Sequence, residues 1–82
     1  MLQGVQTKKD FLKSSNLIVR ANKDTVWHIC AEFDQEQIMD YLITIIDDFN
    51  INCQNTAGET ALMVAAREGN LGIVKYMIEK FI

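Results

Sequence analysis

Shifted by 35 residues, the chain falls onto itself: Thr25 on Thr60, Ala31 on Ala66, Ile38 on Ile73, Tyr41 on Tyr76 and Ile43 on Ile78. Trp27, Ile29 and Met39 fall on Leu62, Val64 and Val74, and the register runs without a gap from Thr25 to Asp47. An internal repeat of this period constrains the fold more than any single motif. Each unit is one supersecondary element that can bury its apolar face only against a neighbour.

The second unit is the more legible, Asn55 to Glu79, NTAGETALMVAAREGNLGIVKYMIE. Ala57-Gly58 is a turn signal, because glycine takes positive φ without a steric penalty. Thr60 is a candidate N-cap for a helix over Ala61 to Arg67, mostly apolar and so buried on more than one side. Gly69-Asn70 stops that helix. Leu71, Ile73, Val74, Met77, Ile78 and Phe81 then recur at helical spacing, with Lys75, Glu79 and Lys80 off that face. A turn followed by two antiparallel helices is the expected unit.

These residues resemble the ankyrin repeat, whose pattern runs approximately D-x-x-G-x-T-P-L-H-x-A-A-x-x-G-H-x-x-I-V-x-x-L-L. The second unit matches it at Asn55, Gly58, Thr60-Ala61-Leu62-Met63, Ala65-Ala66, Gly69-Asn70, Ile73-Val74 and Met77-Ile78. Ala61 stands for the usual Pro and Met63 for the usual His, so the family's Thr–His hydrogen bond cannot form there. The first unit is similar but diverged. It keeps the Thr and His in Thr25-Val26-Trp27-His28, and has Lys23 at the turn Gly and Asp34-Gln35 for Gly-His. The resemblance implies an all-α ankyrin-type solenoid of stacked helix-turn-helix repeats with projecting turns.

Read in this way, residues 1–82 are one ankyrin-repeat domain or fragment: a lead-in or remnant of a preceding repeat (1–19), a diverged repeat (20–52) and a clear one (53–82). Helices are expected at 4–13, 25–33, 36–47, 60–68 and 71–81, with turns at 20–24 and 53–59. Leu17-Ile18-Val19 would be the incoming arm of the first turn. The expected core is Trp27, Ile29, Cys30, Ala31, Ile38, Met39, Leu42, Ile43, Leu62, Val64, Ala65, Ala66, Ile73, Val74, Met77 and Ile78. The family period is 33, so Ile45 to Phe49 must absorb two extra residues, by lengthening either the second helix or the loop after it. The apolar end Phe81-Ile82, where the family places the next loop, suggests an interrupted solenoid.

Composition narrows the function. The apolar content of 49% suits a globular chain, no apolar run is long enough to span a membrane, and MLQGVQTKKDF lacks the apolar stretch of a signal peptide. The expectation is therefore an intracellular protein, cytoplasmic first with the nucleus open, whose Cys30 and Cys53 are reduced thiols. A pI near 4.9 argues against nucleic acid. Charge is uneven. Residues 1–23 carry Lys8, Lys9, Lys13, Arg20 and Lys23 against Asp10, whereas residues 24–50 carry seven acids and no base. This is either a solvated acidic face or a surface that steers a basic partner.

Catalysis finds no footing. His28 and Cys30, two apart on a helix, point about 200° from each other and cannot form a nucleophile–base pair. His28 reads as the structural His of the family motif. One His and two separated Cys do not form a metal site, the isolated glycines form no phosphate loop, and no cofactor is expected. Trp27, aligned with Leu62, reads as core. The resemblance instead implies binding of another protein through turn tips and first-helix surface. Carried over position by position, the contact candidates are Asn22, Asp24, Glu32, Phe33, Gln54, Thr56, Ala57, Glu59, Arg67 and Glu68, all expected to face solvent, with Ala21 beside them. Phe33, aligned with Glu68, either tilts back onto the helices or anchors a partner. The alternative role is a structural stretch of a longer solenoid with specific binding elsewhere. Open ends would also allow self-association.

Overall fold

A computed structural model describes residues 17–46 and 48–82. Four helices lie among them: α1 (Val26–Glu32), α2 (Glu36–Ile45), α3 (Ala61–Glu68) and α4 (Leu71–Phe81). The helix expected at 4–13 lies outside the described residues, as does Asp47 at the end of the expected 36–47 helix. The other helices form within a residue or two of their expected bounds, and the architecture is the all-α stack of helix-turn-helix repeats. Helices α1 and α3 make the main contact between the two repeats.

The helix ends follow from the sequence. Thr25 Oγ1 accepts hydrogen bonds from the backbone N–H of Trp27 and His28, and Thr60 Oγ1 accepts from that of Met63. Each hydroxyl occupies donors that the first helical turn leaves free. Gly69 closes α3 in the left-handed region at φ 73°. Its counterpart Asp34 closes the first helix of the other repeat at φ 56°, although it carries a Cβ. The two turns likewise close with matching hydrogen bonds and matching left-handed residues. Lys23 N–H bonds Arg20 O and Gly58 N–H bonds Asn55 O, with Lys23 at φ 68° and Gly58 at φ 79°. Leu17 to Val19 does form the incoming arm, through an antiparallel bridge from Ile18 to Thr25.

The two extra residues are taken up by the loop. Helix α2 ends at Ile45, and Ile46 is extended. Ile46 is then buried, and Phe49 packs on Trp27 in a tilted arrangement with ring centroids 4.9 Å apart, so the longer loop adds to the core. Of the expected core, Trp27, Cys30, Ala31, Met39, Val64, Ala65, Ile73 and Met77 are buried. Ile38 is 50% exposed, Ile78 and Ala66 are also exposed, and Ile29 is half-buried. Periodicity marked these positions as apolar, but burial also needs a neighbour on that side. Leu17, Ile46 and Ala61 are buried though not expected to be.

Candidate partner-binding site

The turns at 20–24 and 54–59 project side by side and are fastened to each other. Thr56 N–H donates to Asn22 O at 2.8 Å. Asn55 Nδ2 donates to Asp24 Oδ1 at 2.9 Å and to Glu59 Oε1, while Asn55 Oδ1 accepts from the N–H groups of Ala57 and Glu59. One buried amide thus shapes its own turn and ties it to the preceding one.

His28 makes the second fastening. Its Nδ1 lies 3.0 Å from Thr25 N–H and 2.9 Å from Thr25 Oγ1, and its Nε2 lies 2.7 Å from Glu59 O. The backbone N–H must donate to Nδ1, so the ring proton sits on Nε2 and points at the Glu59 carbonyl. Both ring nitrogens are engaged in holding one repeat on the next, as the structural reading of His28 expects. The link to Glu59, 31 residues away, was not visible from sequence spacing. Asn70 completes the set. Its amide donates to Ala31 O and Glu32 O, carbonyls that the end of α1 leaves without helical partners. Burial raises the pKa of the Cys30 thiol, so it behaves as a small apolar group. Among the described residues no cluster of His, Cys, Asp or Glu is arranged to hold a metal ion.

Nine of the ten candidate contact residues lie at the surface or half-exposed: Asn22, Glu32, Phe33, Gln54, Thr56, Ala57, Glu59, Arg67 and Glu68. Asp24 corrects the expectation that all ten face solvent. It is 5% exposed, because its carboxylate faces inward to Asn55, Asn22 and Arg20. Burial opposes its charged form, but hydrogen bonds from Asn55 and Asn22, the nearby His28 and the Arg20 bond outweigh this and hold its pKa below the usual value. Asp24 supports the site from beneath.

Arg20 was not among the sequence candidates, and it organises the outer edge. Its Nη1 lies 2.7 Å from Glu32 Oε1 and 3.2 Å from Asp24 Oδ2, and its guanidinium sits 6.0 Å from the centre of the Phe33 ring. Phe33 is 54% exposed, with one face under a cation and the remainder in water. Arg67 plays the matching part in the second repeat, bonding Glu59 at 2.9 Å and Glu68 at 2.6 Å. Glu32, Glu59 and Glu68 therefore each have an arginine. Near Phe33, Asp34 and Glu36 are exposed acids with no cation in ion-pair range among the described residues. The acidic character expected of this surface is concentrated there.

The chain belongs to the ankyrin repeat family: the model for ankyrin repeats (3 copies) matches residues 3–82. Ankyrin repeats are generally protein–protein interaction modules and typically non-enzymatic. The chain is 29% identical over 75 residues to ankyrin repeat protein B18 of Vaccinia virus (strain Copenhagen), an alignment covering 83% of this chain and 13% of that protein. No solved structure matches. No helix among the described residues is long and apolar enough to cross a membrane.

Proposed function

We propose that this chain binds a protein partner through the row formed by its turn tips and the ends of α1 and α3. The observation that carries this reading is preorganisation. Backbone and buried side chains lock the two turns together, while Asn22, Gln54, Thr56 and Ala57 leave their tips exposed. A surface already held in its bound shape loses little entropy on binding. Asp24 is replaced as a contact by Arg20, and Phe33 is the anchor. The fitting partner presents an apolar pocket for the ring and a Lys or Arg facing Asp34 and Glu36. The acidic pI near 4.9 favours a protein partner over nucleic acid.

The test is capture of partners from a cell lysate with the chain, followed by titration of each captured protein against the Phe33→Ala variant. The variant should bind about 2 kcal/mol more weakly, with its melting temperature nearly unchanged. A fall in stability with affinity intact would place the binding face elsewhere. It would favour the second reading, a structural stretch of a longer solenoid with specific binding elsewhere.

A further inference from the structure

Among the described residues, left-handed backbone occurs at Gly58 and Gly69 of the second repeat and, in the same register, at Lys23 and Asp34 of the first. Glycine takes this conformation without a clash; a residue with a Cβ does not. Lys23 and Asp34 are both exposed, and neither side chain makes an ion pair or hydrogen bond among the described residues. The other acidic and basic side chains of the turns, α1 and α3 are matched within the chain: Arg20 with Asp24 and Glu32, Arg67 with Glu59 and Glu68. The two unmatched charges are thus the two held in strained backbone, the kind of outlier that points to a function. They have opposite signs and stand at opposite ends of α1. At the far end Asp34 is joined by Glu36. A Cβ on Gly72 would lie 3.9 Å from Asp34 Oδ1 and 4.0 Å from Glu36 Oε1, so the two carboxylates converge on one open polar recess of about 300 Å³.

We propose that these free charges set the direction in which a protein partner lies along α1, an inference that rests on the reading that this face binds a protein. An acidic side chain of the partner seats at Lys23 and a Lys or Arg at Asp34 and Glu36, with the apolar group that receives Phe33 beside the base. Complementarity of both signs selects this occupant. A polyanion would meet Asp34 and Glu36 as like charges, and a uniformly basic segment would meet Lys23 as one. A partner that engaged the matched charges would first have to part them from each other. From Thr25 to Phe33 the helix runs about 12 Å, so an extended segment carries its acid and its base at least about four residues apart.

Random peptides displayed on phage and selected on the unaltered chain are the probe. Enriched peptides should carry an acid and a base at that spacing, with an apolar residue next to the base. Enrichment without the acid overturns the proposal, as does a failure to enrich. The enriched peptides are then synthesised and titrated against variants. Lys23→Gly should raise the melting temperature by relieving the backbone, yet weaken binding about two- to fivefold. Lys23→Arg should bind as the unaltered chain does. A lysine that served only the turn would alter stability and leave affinity alone, so unchanged affinity in Lys23→Gly also overturns the proposal. Replacing the acid of the peptide by its amide should abolish the difference between Lys23→Gly and the unaltered chain; a difference that persists assigns the effect to something other than this charge pair. Phe33→Ala separates the inference from the reading beneath it. Peptides that bind this variant undiminished remove Phe33 as the anchor, whereas loss of the Lys23 effect alone removes the direction and leaves the anchor.

Discussion

The two repeats share a backbone but reach it with different residues. Gly58 and Gly69 occupy left-handed positions at no cost, whereas Lys23 and Asp34 occupy the same positions 35 residues earlier with side chains attached. For a residue with a Cβ this conformation costs about 1–2 kcal/mol. The strain persists because the surrounding contacts fix the turn: Asn22 and Asp24 are tied to Thr56 and Asn55 of the next repeat. The reverse holds at the helix N-termini. The first repeat has the full Thr25–His28 box and its bond to Glu59, while the second has Met63 and only the Thr60 hydroxyl. His28 is 1% exposed and Met63 52%. The two repeats therefore differ position by position: the clear one has unstrained left-handed glycines and a bare Thr60 cap, whereas the diverged one has strained left-handed positions and a His28 cap buried against its neighbour.

The largest test of this contrast is in the core. Trp27 is buried against Phe49, and its counterpart Leu62 is half-buried. Trp27→Ala should cost about 3–5 kcal/mol, measured by denaturant unfolding of the full chain. Leu62→Ala should cost clearly less; equal losses would contradict the difference in burial between these two positions.

Next in size is the cap pair. His28→Ala should destabilise by about 1–3 kcal/mol, because Glu59 O and Thr25 N–H lose a buried partner. Met63→Ala should change stability by about 0.5 kcal/mol or less, as surface substitutions do. A His28→Ala protein with unchanged melting temperature would refute the structural role of the imidazole.

The glycine exchange is smaller and changes sign. Lys23→Gly and Asp34→Gly should each stabilise by about 0.5–1 kcal/mol, since relief of the left-handed strain exceeds the added entropy of the unfolded chain. Gly58→Ala and Gly69→Ala should destabilise by about 1 kcal/mol. A rise in melting temperature for the first pair and a fall for the second would confirm that both repeats hold the same turn.

The smallest effect is on acid stability. Asp24 and Glu59 both have folded-state pKa values below their ordinary ones. For Asp24 hydrogen bonds from Asn55 and Asn22 overcome burial, and for Glu59 the bonds from Asn55 and Arg67 dominate. A lowered carboxyl pKa stabilises the fold above its unfolded value, and that contribution is lost as pH falls through the folded one. Stability should be flat near neutrality and drop below the ordinary values of 3.8 and 4.5. Asp24→Asn should flatten the acid limb seen in melting temperature against pH. An unchanged limb would mean that Asp24 does not couple the turns.

Part of this was readable from the residues. Thr25 and Thr60 announced helix starts, Gly58 and Gly69 announced turns, and apolar spacing placed α2 and α4, because capping, backbone freedom and amphipathic period act within a few positions. The site was less readable. Phe33 stood out as an aromatic at an outward position, but Arg20 carried no signal, because its importance comes from Glu32, twelve residues away, and from a ring beyond it. Asp24 looked exposed for the same reason: Asn55, the partner that turns it inward, belongs to the other repeat.

What the sequence determined by itself is the repeat, its helices and the family, since these depend on short-range preferences copied twice at a fixed spacing. The tertiary structure decided which apolar residues are covered, whether the extra loop joins the core, and which polar groups bind the turns together. Ile38 and Ile73 show why. They are the same residue in the same register, yet one is half-exposed and the other wholly buried, because burial is a property of the neighbouring repeat and not of the residue.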